Sequence, residues 1–141
     1  MLFRSIQFPD GHRAFIVPNT CPKVIINEVE ISVYPDCIIT GTHRGNSALG
    51  AIKLYFGKNE PLTKDMGAYI TTLTKRFLEE NYQSEGAVRN QICQVIDVFG
   101  RSVFYAPTAY TRRINEIASA CDEIKFWWNA LSPNNQGQAG P

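Results

Sequence analysis

Val88-Arg89-Asn90-Gln91-Ile92-Cys93-Gln94-Val95-Ile96-Asp97-Val98-Phe99 carries an apolar stripe at Val88, Ile92, Val95, Ile96 and Phe99. Steps of three and four residues lay that set along one side of a helix, and the spacing predicts one. Ser84 stands where it could cap the start, and Gly100 where it could end the helix in a left-handed conformation. On this reading the stretch is the second of three helices that fill the back half of the chain.

The flanks follow the same logic. Upstream, Asn59-Glu60-Pro61 resembles a helix entrance, because proline is harmless in a first turn. Leu62, Met66, Tyr69, Ile70, Leu73 and Phe77 then form one stripe. Downstream, Arg101 to Pro107 is apolar and β-branched at its centre and reads as a short strand or a packed connector. Thr108 is expected to cap a third helix with the stripe Tyr110, Ile114, Ile117, Cys121, Ile124, Trp128 and Leu131. Its alternating four- and three-residue steps are those of an a/d seam. One reading makes this a core helix lying on the sheet or its neighbours. The other makes it a partner-facing helix with Tyr110, Trp127 and Trp128 as interface anchors. Adjacent tryptophans stand about 100° apart on a helix, so burying both needs cover on more than one side.

The first 57 residues read as β structure. Leu2 to Phe8 and Arg13 to Val17 flank the turn signal Pro9-Asp10-Gly11-His12. Pro18 to Pro22 interrupts the chain; from Ile25 the pattern alternates, with Ile25, Val29, Ile31 and Val33 on one face and Glu28, Glu30 and Ser32 on the other. After the Pro35-Asp36 turn, Cys37-Ile38-Ile39-Thr40 starts a return strand, a glycine-bearing loop runs from Gly41 to Gly50, and Ala51 to Phe56 forms a further strand. The expected fold class is α+β: an N-terminal antiparallel meander of four to five strands packed against three C-terminal α-helices.

The chain has 141 residues, 44% of them hydrophobic, with a formal net charge of +1. That length and apolar content predict one folded domain over residues 1–131. The tail 132–141 lacks large apolar residues and is expected to be disordered. Balanced charge argues against a small, strongly basic nucleic-acid binder. No apolar run approaches the length of a membrane span, and the start lacks the apolar core of a signal peptide, so a cytoplasmic protein is expected. Cys21, Cys37, Cys93 and Cys121 form no close pair and read as reduced thiols, with Cys93 and Cys121 on helical stripes. His12, Cys21, Cys37 and His43 match no compact zinc spacing, and neither metal nor cofactor is expected.

Two stretches offer binding chemistry. In Gly41 to Gly50, glycines free the backbone while His43, Arg44, Asn46 and Ser47 supply donors suited to a phosphate or carboxylate. The plain alternative is a sharply turning surface connection. Around the last helix entrance, Arg101, Tyr105, Tyr110, Arg112 and Arg113 could stack on bases and pair with phosphates, or Arg112 and Arg113 could simply pair with Glu116. Catalytic signatures are lacking; a Cys37–His43 dyad is conceivable but has no third orienting group. The expected function is a non-catalytic, homo-oligomeric binding protein that sequesters or blocks a partner, either a small phosphate-bearing ligand such as a nucleotide or a protein surface. Small inhibitors and accessory proteins of phages and mobile elements share this general profile, as do many other proteins. The expected ligand contacts are His43, Arg44, Asn46, Ser47, Arg112 and Arg113. An RNA- or DNA-binding regulator and a small Cys/His-dependent enzyme are the alternatives.

Overall fold

In the computed structural model, residues 11–18 and 20–132 are described. The expected strand Leu2–Phe8, Pro9 and Asp10 of the first turn, and tail residues 133–141 lie outside them. Along the chain come β1 (Arg13–Phe15), β2 (Val24–Ile26), β3 (Val29–Ile31), β4 (Cys37–His43), β5 (Asn46–Tyr55), α1 (Lys64–Asn81), a short 3₁₀ turn at Gln83–Glu85, β6 (Ala87–Asp97), β7 (Ser102–Tyr105) and α2 (Tyr110–Leu131). The fold is α+β, but its arrangement departs from the expected one in two ways.

The first departure is the stretch 88–99, which is a strand and not a helix, leaving two helices among the described residues. β6 lies next to the centre of a five-stranded sheet of order β1-β4-β5-β6-β7. Every residue from Ile92 to Asp97 is buried. Cys93 joins Ile38, Leu49 and Ala51 in the core shared with the helices, whereas Ile92 and Ile96 join Ile39 and Ile52 in a second cluster. A strand buried on both faces is apolar without alternation, and its spacing then imitates a helical stripe by accident. Its Val and Ile content favours the pleated form. Gly100 ends no helix; it sits in the β6–β7 turn, where Arg101 takes the left-handed conformation (φ 55°).

The second departure is the sheet itself, which is mixed and not a simple antiparallel meander. β5 and β6 run parallel, and the other pairs are antiparallel. A parallel pair cannot be closed by a tight turn, so a crossover must bridge it. α1 is that crossover. The single strand expected from Ile25 is instead a separate hairpin of β2 and β3, tightly turned at Asn27 and Glu28 (φ 47° and 67°). This reversal buries Val24 and Ile26 and leaves Ile25 exposed.

α1 starts at Lys64, later than Pro61 suggests, because the Thr63 side chain accepts a hydrogen bond from the Met66 amide at 3.2 Å. Its buried face is Gly67, Ala68, Thr71, Thr72, Thr74, Phe77 and Leu78, while Met66 is exposed. Small residues here let the helix axis come close to the sheet: a Cβ on Gly67 would lie 2.4 Å from the Phe104 ring. α2 begins after Ala109 with no side-chain cap, so Thr108 does not serve as one. Only Ile117 and Cys121 of α2 are buried, against α1 and the β2–β3 hairpin.

The crossover is fastened at its entry by Asp97, which is fully buried at the end of β6. Its carboxylate accepts from the Leu62 amide at 2.8 Å and from the Gly100 amide at 2.9 Å. One side chain thus holds both the approach to α1 and the β6–β7 turn. Asp97→Ala leaves two amides without this partner and is expected to cost about 3 kcal/mol in urea unfolding. Asp97→Asn keeps one carbonyl acceptor and is expected to cost less; equal losses would contradict this role.

Candidate functional site

The Gly41–Gly50 segment is almost entirely strand. β4 and β5 pair as far as His43 opposite Asn46, leaving only Arg44 and Gly45 as a two-residue turn. Both have positive φ, 51° and 79°, as the tightest hairpin turns require. The parallel neighbour β6 starts beside this tip, with Ala87 opposite Ala48. Gly86 makes the approach feasible, since a Cβ there would lie 2.7 Å from the Ser47 carbonyl carbon.

β6 then bulges. Leu49 pairs with Val88, and Ala51 already pairs with Cys93, so Gly50 alone faces the four residues Arg89 to Ile92. Gly50 permits this because a Cβ would collide with the Ile92 backbone, 2.2 Å from its carbonyl oxygen. Arg89, the first residue of this excess, lies beside the hairpin tip. His43, Arg44, Asn46, Ser47, Ala48, Ala87 and Arg89 line a recess of about 190 Å³. The His43 imidazole is held below its ordinary pKa by desolvation first, then by the positive charges of Arg89, Arg44 and His12. Four of the expected ligand residues therefore meet, joined by Arg89, which a helical reading of 88–99 could not have supplied.

Arg112 and Arg113 lie elsewhere. Arg112 Nε donates to Glu116 Oε1 at 3.0 Å; Arg113 donates to Glu116 Oε2 at 3.2 Å and to Asp65 Oδ1 at 3.0 Å. Tyr69 also donates to Glu116 Oε2, at 2.9 Å, and its ring lies under the Arg113 guanidinium. These groups tie the first turns of α1 and α2 together. Tyr110 is likewise engaged inside the chain: its hydroxyl donates to Glu79 at 3.0 Å, and Lys75 sits over its ring. Burial and the Glu79 charge push the Tyr110 hydroxyl up to about 12. Arg101 sits in the β6–β7 turn, whereas Tyr105 ends β7. The basic-aromatic cluster is thus dispersed.

Trp127 and Trp128 fall on the exposed C-terminal end of α2. The β2–β3 turn grips the middle of α2: Asn27 Nδ2 donates to the Ala118 carbonyl at 3.2 Å and to Asp122 at 3.0 Å, and Glu28 pairs with Lys125. Beyond that grip Phe126, Trp127, Trp128 and Leu131 are exposed, Trp128 and Leu131 by 74% and 73%. Phe126 and Trp127 meet edge to face at 5.5 Å. Ala120, Ile124, Trp127, Trp128 and Leu131 border an open groove of about 590 Å³. Neither the α1 stripe nor the 110–131 seam flagged Phe126, which lies off both.

A Cys37–His43 dyad does not form, because the two residues stand at opposite ends of β4, about 20 Å apart at strand rise. Burial also raises the pKa of the Cys37, Cys93 and Cys121 thiols, Cys93 to about 12, opposite to what a nucleophilic thiolate needs. Among the described residues no group of three His, Cys, Asp or Glu side chains could hold a metal ion, and no helix is long and apolar enough to cross a membrane. Compared with protein-family models, curated proteins and solved structures, the chain matches none.

The Glu116 clamp gives a pH signature. Hydrogen bonds from Tyr69 and Arg112, then the Arg113 and Arg112 charges, hold Glu116 below its ordinary value of 4.5. A lowered folded-state pKa means stability that is present above 4.5 and lost as pH falls through the folded value. Glu116→Gln is expected to lower Tm near neutrality by a few degrees at most, since the pair is at the surface. The gap from wild type closes in acid. A gap that persists there would show that the carboxylate charge is not responsible.

Proposed function

We propose that this chain is a non-catalytic binding protein that works as a homo-oligomer joined through the C-terminal half of α2, sequestering its partner rather than transforming it. One observation carries the reading. The α2 seam is a single stripe whose first half, with Ile117 and Cys121, is buried, while Ile124, Trp128 and Leu131 continue it into solvent. A seam of this kind is complementary to another helix. Within the chain α1 and the β2–β3 hairpin cover the first half; a second copy of α2, related by a twofold axis, covers the rest.

The size of the patch supports this occupant. Ile124, Trp127, Trp128 and Leu131, which share the groove, expose on the order of 550 Å², the larger part of the roughly 800 Å² per partner of a standard interface. The aromatic residues are of the type that anchors interfaces. A net charge of +1 puts little repulsion between like copies. The separation of Cys37 from His43, and the raised thiol pKa values, favour binding over a Cys/His-dependent enzyme. The carboxylate partners of Arg112 and Arg113 leave less support for a nucleic-acid regulator.

Sedimentation tests the assembly. Wild type is expected to sediment as a dimer, and Trp128→Ala as the 15.9 kDa monomer. The variant is expected to stay folded, with an unfolding midpoint that no longer depends on protein concentration as that of the wild-type dimer does. A monomeric wild type, or a variant that stays dimeric, would overturn the proposal.

A further inference from the structure

We infer that the recess at the β4–β5 tip is a phosphoryl-binding site, with Arg44 and Arg89 as its charged contacts and His43, Asn46 and Ser47 as its polar wall. The inference rests on the binding-protein reading and names the chemical class of what is bound.

Three separate features of the recess converge on this assignment. Arg44 comes from the β4–β5 turn and Arg89 from β6, yet both line the same 190 Å³ space, and neither takes part in an ion pair with a carboxylate among the described residues. The Lys and Arg residues around the helices, by contrast, are mostly engaged: Arg76, Arg112, Arg113 and Lys125 all have acidic partners. Two guanidinium groups set together without counter-charge repel each other, and an anion between them removes that cost.

The turn itself is the second feature. Position 44 has φ 51°, a conformation in which Asn, Asp or Gly is the favoured residue of a two-residue hairpin turn. Arginine stands there against local preference, and such departures concentrate where a side chain has work beyond folding. The bulge is the third. β6 leaves the ladder immediately after Val88, and Arg89, the first residue of the bulge, lines the recess instead of continuing the pairing with β5.

Size and donor set select the ligand. About 190 Å³ holds a phosphoryl group and leaves a base or sugar outside. Guanidinium forks match phosphate oxygens in pairs, and Ser47 and Asn46 can donate to the remaining oxygens. The same group is carried by a nucleoside monophosphate and by the phosphorylated end of an oligonucleotide, so the chemistry is shared between the two sources.

The test is titration of isotope-labelled full-length protein with inorganic phosphate, followed by amide and arginine side-chain NMR shifts. Saturable shifts confined to residues 43–48 and 86–90 are expected. Arg44→Asn and Arg89→Gln are each expected to weaken binding by about tenfold or more, while Arg112→Gln leaves it unchanged. Arg44→Asn suits the turn better than arginine does, so it is expected to lose affinity without losing Tm; a loss of both would point to a structural role and overturn the assignment. Acetate serves as the ionic control, and equal binding of acetate would show only a diffuse charge effect and overturn it as well. Absence of localised shifts would do the same. Adenosine monophosphate and a 5′-phosphorylated dinucleotide then rank the two sources, and tighter binding of either supports the site. Sedimentation of the same samples separates the two proposals: a dimer that ignores phosphate refutes this one alone, and a monomer that binds it refutes the assembly alone.

Discussion

The parallel pairing of β5 with β6 is the constraint from which the remaining architecture follows. Two adjacent strands running in one direction need a long connection, and α1 with its capped start at Thr63 supplies it. Because the crossover returns the chain to the same end of the sheet, β6 begins where β5 begins, next to the β4–β5 turn. Asp97 secures the far end of the strand, and Gly50 and Gly86 admit its backbone at the near end. Without this pair there would be no helical layer for α2 to rest on and no second strand contributing to the recess.

Several elements can be read directly from the sequence. The four- and three-residue spacing from Tyr110 to Leu131 marks α2 almost to its ends, and the return strand from Cys37 and the strand through Ala51 to Tyr55 are where their apolar residues put them. What misleads is burial on both faces. In β6 the residues Ile92, Cys93, Val95 and Ile96 are all apolar because each face of the sheet has its own core, and periodicity no longer separates strand from helix. The two tight hairpins escape notice for a different reason. Arg44-Gly45 and Asn27-Glu28 place a long charged side chain where turn vocabulary expects Asn, Asp or Gly.

The candidate site was partly legible for the same reasons. His43, Arg44, Asn46 and Ser47 are neighbours in sequence and remain neighbours in space. Arg89 could be added only once its segment was a strand. Arg112 and Arg113 belong to the basic-aromatic cluster at the α2 entrance, and the Glu116 pairing that their spacing offers is the one formed, with Asp65 added from α1. The resulting picture has two surfaces of opposite character. A small polar recess with two arginines sits at one hairpin tip, and an apolar helix end projects past the β2–β3 turn. The two surfaces have no residue in common, so the proposed assembly and the proposed ligand site do not compete.

Amide hydrogen exchange with nuclear Overhauser contacts across residues 87–97 tests the account most directly. A parallel strand inside the sheet predicts that amides from Cys93 to Ile96 exchange only through global unfolding, and that cross-strand contacts link Val95 with Lys53 and Ile96 with Leu54. Sequential helical contacts three residues apart in this segment, or fast exchange of its amides, would contradict the architecture and remove Arg89 from the recess.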